Sequence, residues 1–210
     1  MTISEKFMTL GTDYAGQDPL GWFVSEKLDG CRAFWDGRHL WTRHGKQIDA
    51  PAWFTAGLPA TLRLDGEIYA GRGCFEQSRR AVQYGGHHFT RAIRFVVFDC
   101  PDATGDYLAR MDVARNAVRQ CCYAQAVAVD TITDRREVFA RLQAIQARGG
   151  EGLMLRNPNV THYERGRTAN LLKVKQAHPA MMLLDFLKPQ TRSRTGPNYQ
   201  TPQIDPPLMV

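Results

Sequence analysis

VSEKLDGCRAFWDGRHL, residues 24–40, sets two Asp-Gly pairs among runs of strand-forming residues. Asp-Gly turns a chain tightly, so local rules predict a hairpin at Asp29-Gly30 and a second turn at Asp36-Gly37. Lys27 stands just before the first turn, flanked by Val24 and Leu28 and followed by Cys31, Ala33, Phe34 and Trp35. A lysine in that place is either an ordinary solvated strand residue or one held there to react.

Outward from this stretch the pattern stays strand-like to residue 99. GWFVSEKL, CRAFWDG, LWTRHG, LRLDGEIYA and IRFVVFD are short β-prone runs separated by Gly, Pro and Asp-Gly. Two helices are predicted next, over 107–126 and 134–150. The second begins with Asp134 and Glu137 spaced as a capping box and ends at a Gly pair. Two further strands follow, GLMLR (152–156) and NLLKVK (170–175). Strands that cluster rather than alternate with helices predict an α+β domain built on antiparallel sheet with flanking helices. Residues 1–20 read as a lead-in, 21–176 as the domain and 177–210 as a tail. Six of the eleven prolines fall after residue 175 (Pro179, Pro189, Pro197, Pro202, Pro206 and Pro207), which suits an extended tail.

Composition narrows the class. With 210 residues, 43% hydrophobic and 23% charged, the chain reads as a soluble globular protein with one substantial domain. No apolar run approaches a membrane span, and the N-terminus lacks the apolar core of a signal peptide, so a cytoplasmic location is expected. The net charge of +6 fits an anionic partner and equally a mildly basic soluble protein. Five cysteines, with no C-x-x-C spacing, read as reduced thiols rather than a zinc site. His87-His88, beside Gly85-Gly86, reads as loop.

Taken singly, the other notable residues have plain readings. Asp65-Gly66 is most simply a turn, Asp99 the end of a buried strand, Glu151 a residue after a helix cap. Lys173 and Lys175 read as a solvated strand face. Their order says more: KLDG, LDGE, FVVFD, EGLMLR and LLKVK run in sequence at domain-scale spacing. In this the chain resembles the ATP-dependent DNA ligases, most nearly the small bacterial and viral type, over roughly residues 20–176. WFVSEKLDGCRAFWDG and GGEGLMLR carry the most specific part of the resemblance.

The resemblance implies a covalent nucleotidyltransferase (adenylation) fold that seals nicks in duplex DNA. Lys27 would attack the α-phosphorus of ATP and carry AMP as a phosphoramidate. AMP would pass to the 5′-phosphate at the nick, and the 3′-hydroxyl would then expel it. Neutralising a lysine of ordinary pKa, about 10.4, near pH 7.5 costs roughly 4 kcal/mol, so the site has to lower that cost. By the same resemblance Glu67 accepts a hydrogen bond from the ribose, Phe98 stacks on adenine and Arg32 grips the sugar. Arg43 holds the nick 5′-phosphate, with a plain loop arginine as the alternative. Lys173 and Lys175, two apart on a strand, would face the α-phosphate from one side. Glu151 would bind Mg²⁺, and Asp29 would serve the later DNA steps alongside its turn. The basic stretch 71–91 is either a contact to nick-flanking phosphates or a solvated connection.

The family's catalytic domain is ordinarily followed by an oligonucleotide-binding (OB) barrel. The 35 residues after Lys175 do not suit one, which leads to the expectation of either a natural catalytic-domain-only form or a truncated gene, with a slow first step. A monomer is expected. Two other readings stay open: an RNA ligase or capping-type nucleotidyltransferase, and a non-catalytic nick-binding remnant.

Overall fold

The structure, a computed structural model, describes residues 7–178. The strands are β1 (Thr9–Asp13), β2 (Phe23–Lys27), β3 (Cys31–Trp35), β4 (Leu40–Thr42), β5 (Gln47–Ile48), β6 (Leu64–Tyr69), β7 (Arg94–Asp99), β8 (Ala124–Ala126), β9 (Asp130–Thr131), β10 (Gly152–Arg156) and β11 (Gly166–Val174). The helices are α1 (Ala52–Thr55), α2 (Phe75–Tyr84), α3 (Tyr107–Val118) and α4 (Glu137–Gln146). The strands form two sheets, ordered β1-β11-β10-β2-β9 and β5-β4-β3-β6-β7-β8. The expected α+β architecture of antiparallel sheets with flanking helices is present, with two parallel pairings added, β1 with β11 and β7 with β8.

The hairpin expected at Asp29-Gly30 does not form. β2 pairs with β10 and β9 in the first sheet, whereas β3 pairs with β4 and β6 in the second. Residues 28–30 therefore cross between sheets. Gly30 serves close approach rather than turn geometry: a Cβ there would lie 2.4 Å from the Ile68 carbonyl oxygen. Asp36-Gly37 does turn the chain. Gly37 has φ 98°, and the Asp36 carboxylate accepts hydrogen bonds from the backbone N–H of Arg38 at 2.7 Å and of His39 at 2.6 Å. Asp65-Gly66, the third pair, lies inside β6, where a Cβ on Gly66 would meet the Val96 oxygen at 2.6 Å.

Other elements depart from the sequence reading for similar reasons. α3 stops at Val118 instead of running to 126, because Ala124–Ala126 leave the helix to pair with β7. Asp106 caps its start, accepting from the Ala109 N–H at 2.9 Å. α4 keeps half of its capping box, with Glu137 accepting from the Asp134 N–H at 3.0 Å. α2 lies in the basic stretch 71–91, for which no helix was expected. Its buried positions, Ser78 and Ala81, are both small, while Phe75 and Tyr84 are exposed, so its inward face carries no large apolar residue. β1 falls in the expected lead-in, where Thr9–Asp13 align beside β11. The proline-rich segment of the sequence reading lies outside the described residues from 179 onward.

Three of the four apolar clusters among the described residues build the core around the two sheets, and the fourth, Met8 with Phe34, is small. Phe54, Leu64, Ile68, Phe95 and Val97 fill one side of the second sheet, and Val138, Leu142 and Ile145 of α4 pack on Leu153, Leu155 and Val174 of the first. Between the sheets Phe23, Tyr69, Val96, Tyr107, Met111 and Val127 join them beneath a cleft. Among the described residues no helix is long and apolar enough to cross a membrane. All five cysteines are free thiols.

Candidate active site

The cleft between the two sheets contains a pocket of about 280 Å³. Lys27, Arg32, Arg43, Glu67, Phe98 and Lys173 of the expected site residues line it. Glu151 and Lys175 join them through Lys27. The Lys27 Nζ lies 2.5 Å from Glu151 Oε2, and the Lys175 Nζ lies 2.7 Å from Glu151 Oε1. One carboxylate is thus shared between two ammonium groups.

Strand register makes this cluster. Gly152 pairs with Lys27 across β10 and β2, and a Cβ on Gly152 would come within 2.1 Å of the Val174 oxygen. Only glycine lets β2, β10 and β11 close at this point, and that closure sets Glu151 between the two lysines. Burial alone would raise the Glu151 carboxyl, but hydrogen bonds from Lys175 and Lys27 hold it below its ordinary value. Lys173, two residues before Lys175, lines the pocket and pairs with the exposed Asp13 carboxylate at 3.0 Å.

The opposite wall belongs to β3, β6 and β7. Arg32 and Glu67 are register partners. Burial pushes the Glu67 carboxyl up to about 8, against the lowering effect of Arg32 and Lys27 and with the help of Asp65 and Glu151. Arg32 is engaged by the protein itself. Its guanidinium binds both oxygens of Asp65 and donates to the Thr9 carbonyl at 2.6 Å. It also lies 5.1 Å from the centroid of the Phe98 ring. Phe98 is half-buried, and the Tyr107 hydroxyl donates to its carbonyl oxygen at 3.1 Å.

Asp29 sits in the crossover and is not among the pocket-lining residues. Arg43 reaches the pocket from the loop joining β4 to β5, where its Nε–H donates to His44 Nε2 at 3.0 Å.

Several contributors were not singled out from sequence. Asp65, taken for a turn residue, is fully buried and receives Arg32 together with the Tyr163 hydroxyl at 2.5 Å. Asp99 pairs with Arg110 at 2.8 Å and Arg156 at 3.2 Å; Arg110 is 1% exposed and Asp99 0%. Arg156 and Arg167 also line the pocket. Asp65 in LDGE, Asp99 in FVVFD and Arg156 in EGLMLR stood inside the ordered motifs, a signal that could have revealed them, whereas Arg110 and Arg167 lay outside them.

No family model matches the chain. It is 33% identical over 167 residues to a DNA ligase of Haemophilus influenzae, an alignment covering 78% of this chain and 61% of that one. The chain therefore spans less than two thirds of that curated relative. The structure of a Lig E DNA ligase matches with TM-score 0.73 and 34% identity, over 81% of this chain and 68% of that one. The Chlorella virus DNA ligase-adenylate matches with TM-score 0.67 at 22% identity, over 82% and 68%. The bacteriophage T7 ATP-dependent DNA ligase in complex with ATP matches with TM-score 0.62 at 15% identity, over 83% and 70%. The latter two share the fold. With 34% identity to the Lig E ligase over 81% of this chain and 68% of that one, this chain belongs to the DNA ligase family.

Proposed function

We propose that the protein seals nicks in duplex DNA using ATP, with Lys27 as the covalent nucleophile. The observation that carries this reading is the Lys27–Glu151–Lys175 cluster at a pocket walled by Glu67 and Phe98. The Lys27 nitrogen forms a bond to the α-phosphorus as the bond to the pyrophosphate oxygen breaks. Glu151, 2.5 Å from that nitrogen, orients the Lys27 amine at the pocket, and the amine has to lose its proton before it attacks. Lys173 and Lys175 face the negative charge that grows on the α-phosphate oxygens. Phe98 offers a ring face to adenine, and Glu67 a carboxyl group to the ribose hydroxyls.

Arg32 has two tasks in this reading. With three of its donors engaged by Asp65 and Thr9, its main work is to hold the Glu67–Phe98 wall, and its remaining N–H groups are what it can offer a sugar. Mg²⁺ would be held at Glu151 largely through its own water, in place of one of the lysine contacts to that carboxylate, and would supply charge neutralisation for the phosphates. Transfer of AMP to the 5′-phosphate and attack by the 3′-hydroxyl follow, with Arg43 and Asp29 assigned to the DNA end of the site.

The test follows a 5′-labelled nicked duplex with ATP and Mg²⁺. Appearance of adenylated strand and then of sealed product supports the reading. Absence of both with folded protein, or faster reaction with GTP, contradicts it.

A further inference from the structure

β2 contributes two consecutive charged residues to the pocket lining, Glu26 and Lys27. Successive strand residues face opposite ways, so Glu26 is turned from the Lys27 cluster toward Gly150 and the loop after β6. A Cβ on Gly150 would lie 2.9 Å from Glu26 Oε1, which sets this carboxylate against the residue preceding Glu151. Arg72 meets it with two parallel hydrogen bonds, Nε to Oε1 at 2.8 Å and Nη2 to Oε2 at 2.7 Å. The pair is partly buried, with 29% of the Arg72 side chain and 18% of the Glu26 side chain exposed.

The loop that carries Arg72 is shaped for this contact. Gly71 and Gly73 flank it with φ 113° and 69°, a conformation that favours glycine on both sides of the arginine. The pair also spans the cleft, joining a strand of the first sheet to the loop that leads from β6 of the second into α2. Without Arg72, Glu26 would present an uncompensated negative charge to a pocket whose proposed substrate is a polyanion.

We propose that Arg72 is a positioning residue for nucleotide binding: it holds the Glu26 carboxylate aside and cancels its charge at the edge of the polyphosphate's path. The proposal rests on the reading that the pocket takes a nucleoside triphosphate, and it concerns affinity rather than chemistry. An ordinary structural salt bridge would act through stability alone, so the two accounts differ in what a second substitution restores.

The experiment compares wild type, Arg72→Met, Glu26→Gln and the double variant by calorimetric ATP binding, by single-turnover adenylylation across ATP concentration, and by thermal unfolding. Arg72→Met is expected to weaken ATP binding about tenfold, equivalent to about 1.4 kcal/mol, with the rate at saturating ATP changed less than about threefold. The defect should shrink as salt is raised, because the interaction is between charges. Glu26→Gln should bind ATP as well as wild type or better, and the double variant should return to within about threefold of wild type. Unchanged affinity in folded Arg72→Met, a tenfold loss in Glu26→Gln, or a double variant as weak as Arg72→Met would each overturn the proposal. ATP binding without adenylylation in wild type would refute the catalytic reading while the affinities still judge Arg72. Failure of wild type to bind ATP would overturn both.

Discussion

Glu67→Gln should change how stability depends on pH. The Glu67 carboxyl is raised from 4.5 to about 8 in the folded chain, chiefly by burial. The folded state therefore holds this proton more tightly than the unfolded chain does. Its effect is neutral below pH 4.5, where both states are protonated, and destabilising as pH rises toward 8, where the unfolded chain alone has released it. At about 1.36 kcal/mol per pH unit the full gap is roughly 5 kcal/mol. The carboxyl borders an open pocket, so water recovers part of this and about 2–4 kcal/mol is expected. Glutamine keeps the shape and removes the titration. Urea unfolding followed by circular dichroism from pH 5 to 9 should show the variant gaining that amount on wild type, levelling above pH 8. Lys27, Arg32, Asp65 and Glu151 act on the group and are present in both proteins, so the comparison isolates Glu67. Parallel stability curves would refute the reasoning.

Lys27→Ala and Lys27→Arg should both abolish the AMP adduct, arginine because it stays protonated at any working pH; an undiminished adduct in gel labelling would move the nucleophile elsewhere. Arg110→Met should cost about 3–5 kcal/mol in denaturant unfolding, since it removes one cation from the fully buried Asp99, and a loss under 1 kcal/mol would contradict that assignment. Gly152→Ala should cost about 3 kcal/mol and most of the adenylylation rate, because its Cβ would meet the Val174 oxygen at 2.1 Å. Gly149→Ala, with φ 76° and nothing within 4 Å of its Cβ, should cost only about 1–2 kcal/mol and leave the rate near wild type; equal losses in the two variants would refute the role given to strand closure.

The site was more legible in the sequence than the path of the chain. Lys27, Glu67, Phe98, Glu151, Lys173 and Lys175 stood in ordered motifs, and the structure gathers them about one pocket and the carboxylate bordering it. Turn chemistry misled at Asp29-Gly30 and Asp65-Gly66. An Asp-Gly pair reads locally as a hairpin, while Gly30 and Gly66 are there because neighbouring strands leave no room for a side chain. β1 escaped notice because its value lies in a partner more than 150 residues away. The pairings of Asp65 with Arg32 and of Asp99 with Arg110 were hidden for the same reason: Asp65 read as a turn and Asp99 as a strand end, and a buried charge is recognisable only beside its counter-charge.

The central claim is that Lys27 carries AMP. Incubation with ATP and Mg²⁺, proteolysis under mild alkaline conditions and mass spectrometry of the peptides tests it most directly. The account predicts one AMP on the peptide containing Lys27, lost when nicked DNA is added as adenylated strand appears. AMP on another residue, or an adduct on Lys27 that nicked DNA does not discharge, would contradict it.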